Sequence, residues 1–168
     1  MCFSFEHMKW LVKSNQQLKT SDGKSVDIFE FRHVKDEQTL SAWAKHFRNH
    51  YCLDSQIDSL RCGTEYSREE YLNKIKFPDK SIAPGPSIRA GDFAEILAAD
   101  YLEYILKHWV PRVRYSHKTV SNESTKGSDT IGFMFSSDGN NSKDTLTIIE
   151  SKAKYTGNHE NRLQTAID

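Results

Sequence analysis

KGSDTIGFMF (residues 126–135), the polar run SSDGNNSK (136–143) and DTLTIIESKAK (144–154) decide how this chain is read. Two strand-like runs flank a turn rich in Ser, Asp, Gly and Asn, a composition that predicts a hairpin. Side chains alternate faces along a strand. Leu146, Ile148, Glu150 and Lys152 therefore share one side, and Thr147, Ile149 and Ser151 the other. Closing the hairpin brings Asp129, at the start of the first run, toward Glu150 and Lys152 at the end of the second.

Two carboxylates and an amine at a sheet margin suit a hard divalent cation and an activated water. A third acidic group lies upstream. The run SIRAGDFAEILAADYLEYILKH (87–108) predicts a helix, with Phe93, Ile96, Leu97, Tyr101, Tyr104 and Ile105 on one apolar stripe. Ser87 or Gly91-Asp92 would start it, and Pro111 would stop it. Glu95 sits at the edge of that stripe. As an ordinary surface residue it would be solvated; beside Asp129 and Glu150 it would be a third acidic group or a water-mediated metal contact. Val113, Tyr115 and His117 alternate with Arg112, Arg114 and Ser116, which predicts a strand after Pro111.

Together these segments resemble the PD-(D/E)xK nuclease superfamily. Asp129 matches its first acidic residue, with Gly127-Ser128 in place of the Pro. Glu150-Ser151-Lys152 matches its E-x-K, and Gly91 to Glu95 the G-x-x-x-E of the RecB-like branch. The wider runs WAKHFRNHY (43–51), GDFAE (91–95), KTVSNESTKGSD (118–129) and ESKAK (150–154) resemble the HamA family, the nuclease subunit of Hachiman anti-phage defence, and the related abortive-infection protein AbpA.

The resemblance implies an α/β (α+β) fold. Its restriction-endonuclease-like αβββ(αβ) core packs a helix on a mixed sheet over residues 87–168, cut short at the C-terminal end. A mostly helical N-terminal extension spans 1–86. The resemblance further implies a deoxyribonuclease with Glu95, Asp129, Glu150 and Lys152 as catalytic residues. Mg²⁺, with Mn²⁺ as a substitute, would be held by Asp129, Glu150, Glu95 and the Ser151 carbonyl. DNA contacts would fall to Lys118, Lys126, Lys154, Arg162 and Gln164. Gln164 would open a Q-x-x-x-Y motif, although residue 168 is Asp. A superfamily-2 helicase of the HamB type would be the partner that restrains the enzyme.

Composition bounds these expectations. The chain has 168 residues, enough for one domain with a core. Lys plus Arg equals Asp plus Glu at 23 each, so no basic excess supports tight autonomous DNA binding. No apolar run reaches the length of a membrane span, and the start does not read as a signal peptide. Three cysteines without a C-x-x-C fit a reducing cytoplasm.

The N-terminal part carries less chemistry. Residues 25–34 read as a strand with Val26, Ile28 and Phe31 inward. Asp36 or Thr39 caps a helix through Leu40, Trp43, Ala44 and Phe47. Ser67 and Glu70 form a capping box for a helix from Arg68 to Lys76, ended by Pro78. Residues 82–86, IAPGP, read as a linker. His46 and His50 lie four apart on a helix, with Cys52 and Cys62 following. Their spacing matches no common zinc module, so a helix face with small buried cysteines is the reading to prefer over a metal site. Two further readings stay open: a non-catalytic DNA-binding or helicase-docking module, and a small structural α/β domain with an accidental E-x-K.

Overall fold

A computed structural model describes residues 5–123, 129–139 and 141–155. It is a mixed α+β fold with small antiparallel sheets. A 3₁₀ turn, Glu6–Trp10, leads into the hairpin β1 (Leu11–Lys19) and β2 (Ser25–Phe31). Helices α1 (Glu37–Tyr51), α2 (Ile57–Leu60), α3 (Arg68–Tyr71) and α4 (Gly85–Asp100) follow. A second hairpin, β3 (Thr130–Met134) and β4 (Thr145–Ile149), closes the described chain.

The local signals act where backbone donors need partners. Asp36, not Thr39, caps α1; its carboxylate accepts from the N–H groups of Gln38 and Thr39 at 3.0 and 3.3 Å. Both halves of the Ser67–Glu70 capping box form. The expected helix to Lys76 is α for its first turn only and continues as a π turn, Leu72–Lys76.

The 82–86 stretch is not a loose linker. Asp79 Oδ1 accepts from the N–H groups of Ser81 and Ile82, both at 2.7 Å, and α4 begins directly at Gly85. A Cβ at Gly85 would drive into the Asp79 backbone. Gly85→Ala should therefore lower stability by about 1–3 kcal/mol, read as an earlier urea midpoint at unchanged m-value.

Helix α4 is the spine. Ile96, Ala99 and Leu102 on its inner side are 1, 7 and 0% exposed. Phe93 meets Trp43 and Phe47 of α1, with ring centroids 5.6 and 5.5 Å apart. Asp92 does not start the helix; it is buried mid-helix and accepts from Tyr51 Oη at 2.6 Å. After Asp100 the helix widens into a π turn, Tyr101–Ile105, and Lys107 turns left-handed with φ 60°. The helical span thus ends before His108, whose ring is buried and lies 3.0 Å from Thr147 Oγ1. Gly132 lets β3 lie close: a Cβ there would sit 3.0 Å from Leu102 Cδ1 and 3.1 Å from His108 Cβ.

Among the described residues the strands form two separate two-stranded antiparallel sheets rather than the expected mixed sheet. The expected strand at 112–117 is a turn over 114–117, and the described bridge to β3 lies ahead of it, at Trp109–Phe133. Alternation breaks down, because Tyr115 is buried alongside the two arginines. Arg112 and Arg114 turn toward carboxylates on α4, while Val113 is 58% exposed. Arg112 pairs with the wholly buried Asp100 and Arg114 with the mostly buried Glu95, so neither acid is left as an uncompensated buried charge. Hairpin β3–β4 forms as expected, but Leu146 and Ile148 lie on its exposed face and Thr147 and Ile149 face the core. In β2, Phe31 is more exposed than Ile28, and stacks on Trp43 at 5.3 Å.

Candidate active site

The register of the second hairpin places the acids. Thr130 pairs with Ile149, so the next residues outward are Asp129 and Glu150. Asp129 Oδ2 accepts from the Ser151 N–H at 2.7 Å. Thr130 Oγ1 donates to the Glu95 carbonyl at 3.3 Å, tying the hairpin to α4. Glu95 and Asp129 then share one guanidinium. Arg114 Nε lies 3.0 Å from Glu95 Oε2, and Arg114 Nη2 lies 3.6 Å from Asp129 Oδ1. Tyr115 Oη also donates to Glu95. Both acids line a cavity with Arg112, Arg114, Tyr115 and Thr130.

The surroundings tune Glu95. Burial pushes its carboxyl above the ordinary range and the nearby Asp129 charge adds to that, while Tyr115 and Arg114 pull back. Burial pushes the Tyr115 phenol up as well, so it stays a proton donor to Glu95.

Glu150 and Lys152 are placed differently. The Glu150 side chain is 63% exposed and its carboxylate is paired with the Lys152 ammonium. Among the described residues, the group of three His, Cys, Asp or Glu whose ligand atoms all lie within 4.8 Å of one another is not Glu95, Asp129 and Glu150. Three carboxylates without a cation repel, and here each has found a resident one: Arg114 for two of them, Lys152 for the third. Ser151 reaches Asp129 through its N–H, and its hydroxyl is buried without a partner among the described residues.

The DNA-contact expectations divide. Lys154 is exposed and lines a groove with Arg89, Phe93 and Tyr155. Lys118 is not a surface lysine: it is 4% exposed, its amine lies 3.3 Å from Asp92 Oδ2, and it sits over the Tyr51 ring. A buried Asp within reach holds that ammonium inside the core, so it cannot meet a phosphate. Lys126, Arg162 and Gln164 lie outside the described residues.

The clustered triple is His46, His50 and Asp100. Cys52 and Cys62 do not join it. Cys52 is buried with Ile57, Tyr71 and Leu72, and Cys62 is exposed. Asp100 is wholly buried. Its oxygens lie 3.1 Å from His7 Nε2 and 2.9 Å from His46 Nε2, and Arg112 Nη2 pairs with it at 2.8 Å. Burial alone would raise the Asp100 carboxyl, but those two histidines and Arg112 hold it well below the usual range. An ionised carboxylate only accepts, so both imidazoles donate from Nε2. His50 Nε2 in turn accepts from Arg112 Nη1 at 3.0 Å. The Nε2 atoms of His46 and His50 are both committed to hydrogen bonds, and a guanidinium already supplies a cation. The cluster is a satisfied ionic network that ties α1 to α4. Sequence reasoning missed Asp100, His7 and Arg112. The available signal was an Asp inside the apolar stretch AADYL (98–102).

A pH dependence follows. Burial first, then the Arg112 charge, pulls His50 from 6.5 down to about 3. Protons therefore bind the unfolded chain before the folded one. The stability due to neutral His50 is complete above pH 6.5 and is lost as pH falls toward 3. Between those limits urea unfolding should lose up to about 1.4 kcal/mol per pH unit, and His50→Gln should flatten the slope.

The HamA family profile matches residues 6–168. The chain belongs to the HamA family. Membership ties it to Hachiman anti-phage defence. Searches of curated proteins and of solved structures gave no significant match. Among the described residues of this HamA-family chain, no helix is long and apolar enough to cross a membrane.

Proposed function

We propose that this HamA-family chain is a metal-dependent DNA nuclease of the PD-(D/E)xK type, the effector of its defence system, working with a superfamily-2 helicase partner of the HamB type. The observation that carries the reading is the convergence of Glu95 and Asp129 on one guanidinium, beside the unpartnered Ser151 hydroxyl. Two carboxylates that already share a cation are a donor set of hard oxygens, which Mg²⁺ and Mn²⁺ prefer. The residues thus fit the metal.

Asp129 and Glu95 would hold it, with Glu150 turning inward from its exposed position to join them. Bound there, Mg²⁺ supplies positive charge at a phosphodiester and lowers the pKa of a water. The chain's own groups do the rest. Lys152, one residue past Ser151, carries an ammonium that orients the attacking water or balances charge on the phosphate. The Ser151 N–H fixes the Asp129 carboxylate. Burial of Glu95 and Asp129, whose side chains are 13 and 14% exposed, limits bulk water around the pair. Lys154 and Arg89 offer phosphate contacts along their groove, which position the backbone without reading bases.

A second reading has its own observation. Phe135, Leu146 and Ile148 expose 66, 57 and 60% of their surface on one hairpin. That patch favours a docking module for the helicase. Incubating plasmid and linear DNA with the chain and Mg²⁺ separates the two. Cleavage by wild type, lost with EDTA and with Asp129→Asn, supports the nuclease. Helicase binding that needs the hairpin patch, without cleavage even in the assembled complex, supports the module.

A further inference from the structure

Arg114 is the residue the proposed mechanism leaves without a task, although it holds the centre of the site. Its Nε is 3.0 Å from Glu95, its Nη2 is 3.6 Å from Asp129, and its side chain is 17% exposed. Hydrophobic alternation would have turned Val113 inward. Instead the segment bends so that the guanidinium reaches the two acids. We infer that Arg114 is a resident cation standing in the divalent site: it occupies the place between Glu95 and Asp129 in the metal-free protein and must leave when the ion arrives. The inference rests on the nuclease reading of that pair and adds to it a competition between guanidinium and metal.

The charges require such an occupant. Two carboxylates that are mostly buried and close enough to share one partner repel each other, and each is costly to desolvate unpaired. A single guanidinium offers both its Nε and its terminal nitrogens to two acceptors, which a lysine ammonium does less well. A divalent ion and a guanidinium cannot occupy the same space between the same oxygens. The weaker contact, at 3.6 Å, falls on Asp129, whose other oxygen is already fixed by the Ser151 N–H. Asp129 is therefore the carboxylate more easily taken over. The displaced guanidinium stays in the cavity it lines with Arg112. Arg112 cannot make the same exchange: it is committed to Asp100, Glu103 and His50 together. Arg114 acts on the reaction through the metal site, so it is a positioning residue.

The test is a titration of the full chain with Mn²⁺ alone, without DNA, followed by electron paramagnetic resonance and by melting temperature. Wild type, Arg114→Gln, Arg114→Lys and the double variant Arg114→Gln with Asp129→Asn are compared. Removing the competitor should tighten Mn²⁺ binding about tenfold in Arg114→Gln and less in Arg114→Lys. Arg114→Gln should melt below wild type in EDTA and regain more from Mn²⁺ than wild type does. The double variant should lose the gain, which places the ion at this pair. If Arg114→Gln does not fold, Arg114→Lys carries the same expected sign.

A purely structural arginine predicts lower melting with no gain in Mn²⁺ affinity, and that result overturns the inference. So does tighter binding that survives Asp129→Asn. Equal measurable affinity in wild type and variants defeats the inference and leaves the nuclease reading standing. No Mn²⁺ binding by any of them defeats both.

Discussion

Asp100→Ala should cost about 3–5 kcal/mol, the loss expected when one member of a buried ionic network is removed. Most domains hold only about 5–15 kcal/mol in total. The variant should therefore unfold at much lower urea, and part of it should be unfolded at physiological temperature. The size follows from what Asp100 satisfies. It is the acceptor for His7 and His46 and the partner of Arg112, and no part of it reaches solvent. Without it, two imidazole N–H groups lose their acceptor, and Arg112 loses its wholly buried ion-pair partner. Asp100→Asn keeps the shape and one acceptor oxygen but drops the charge. It should fall between alanine and wild type. A urea midpoint unchanged in the alanine variant would show that the network does not hold α1 to α4.

The second large effect concerns chemistry. Lys152→Ala should lower DNA cleavage by at least about a hundredfold while leaving the melting temperature within a few degrees, because its ammonium pairs with the exposed Glu150. Glu150→Ala should behave the same way. A pair whose loss removed activity but not stability would be hard to explain as solubilising charge. Cleavage that persisted in both variants would exclude Glu150-Ser151-Lys152 from the reaction.

How much of this was legible depends on the range of the interaction. Local signals carried well. Asp36 and the Ser67–Glu70 box cap helices with partners two or three residues away, and such short-range geometry is written directly in the sequence. The 136–143 turn and the runs beside it closed as a hairpin, which brought Asp129 to Ser151. The apolar stripe of the helix was legible only in part: Ile96 is buried as expected, but Ala99 and Leu102 complete the inner side and Ile105 is 43% exposed. Long-range charge was not legible. Arg112, Arg114 and Lys118 read as a strand edge and a phosphate contact, yet all three point inward to acids on α4. A residue's own type does not reveal whether an opposite charge waits 12, 19 or 26 positions away. Strand β1, LVKSNQQLK, was missed because it has little apolar alternation; its pairing with β2 supplies what its side chains do not.

The central claim is that Glu95 and Asp129 form a divalent-cation site and that the His46–His50–Asp100 cluster does not. Crystals of the wild-type chain soaked in Mn²⁺ and measured at the manganese absorption edge test it directly. The account predicts an anomalous peak between the Glu95 and Asp129 carboxylates, with the Arg114 guanidinium moved aside. A peak at His46, His50 and Asp100 instead, or none at the Glu95–Asp129 pair, would contradict it.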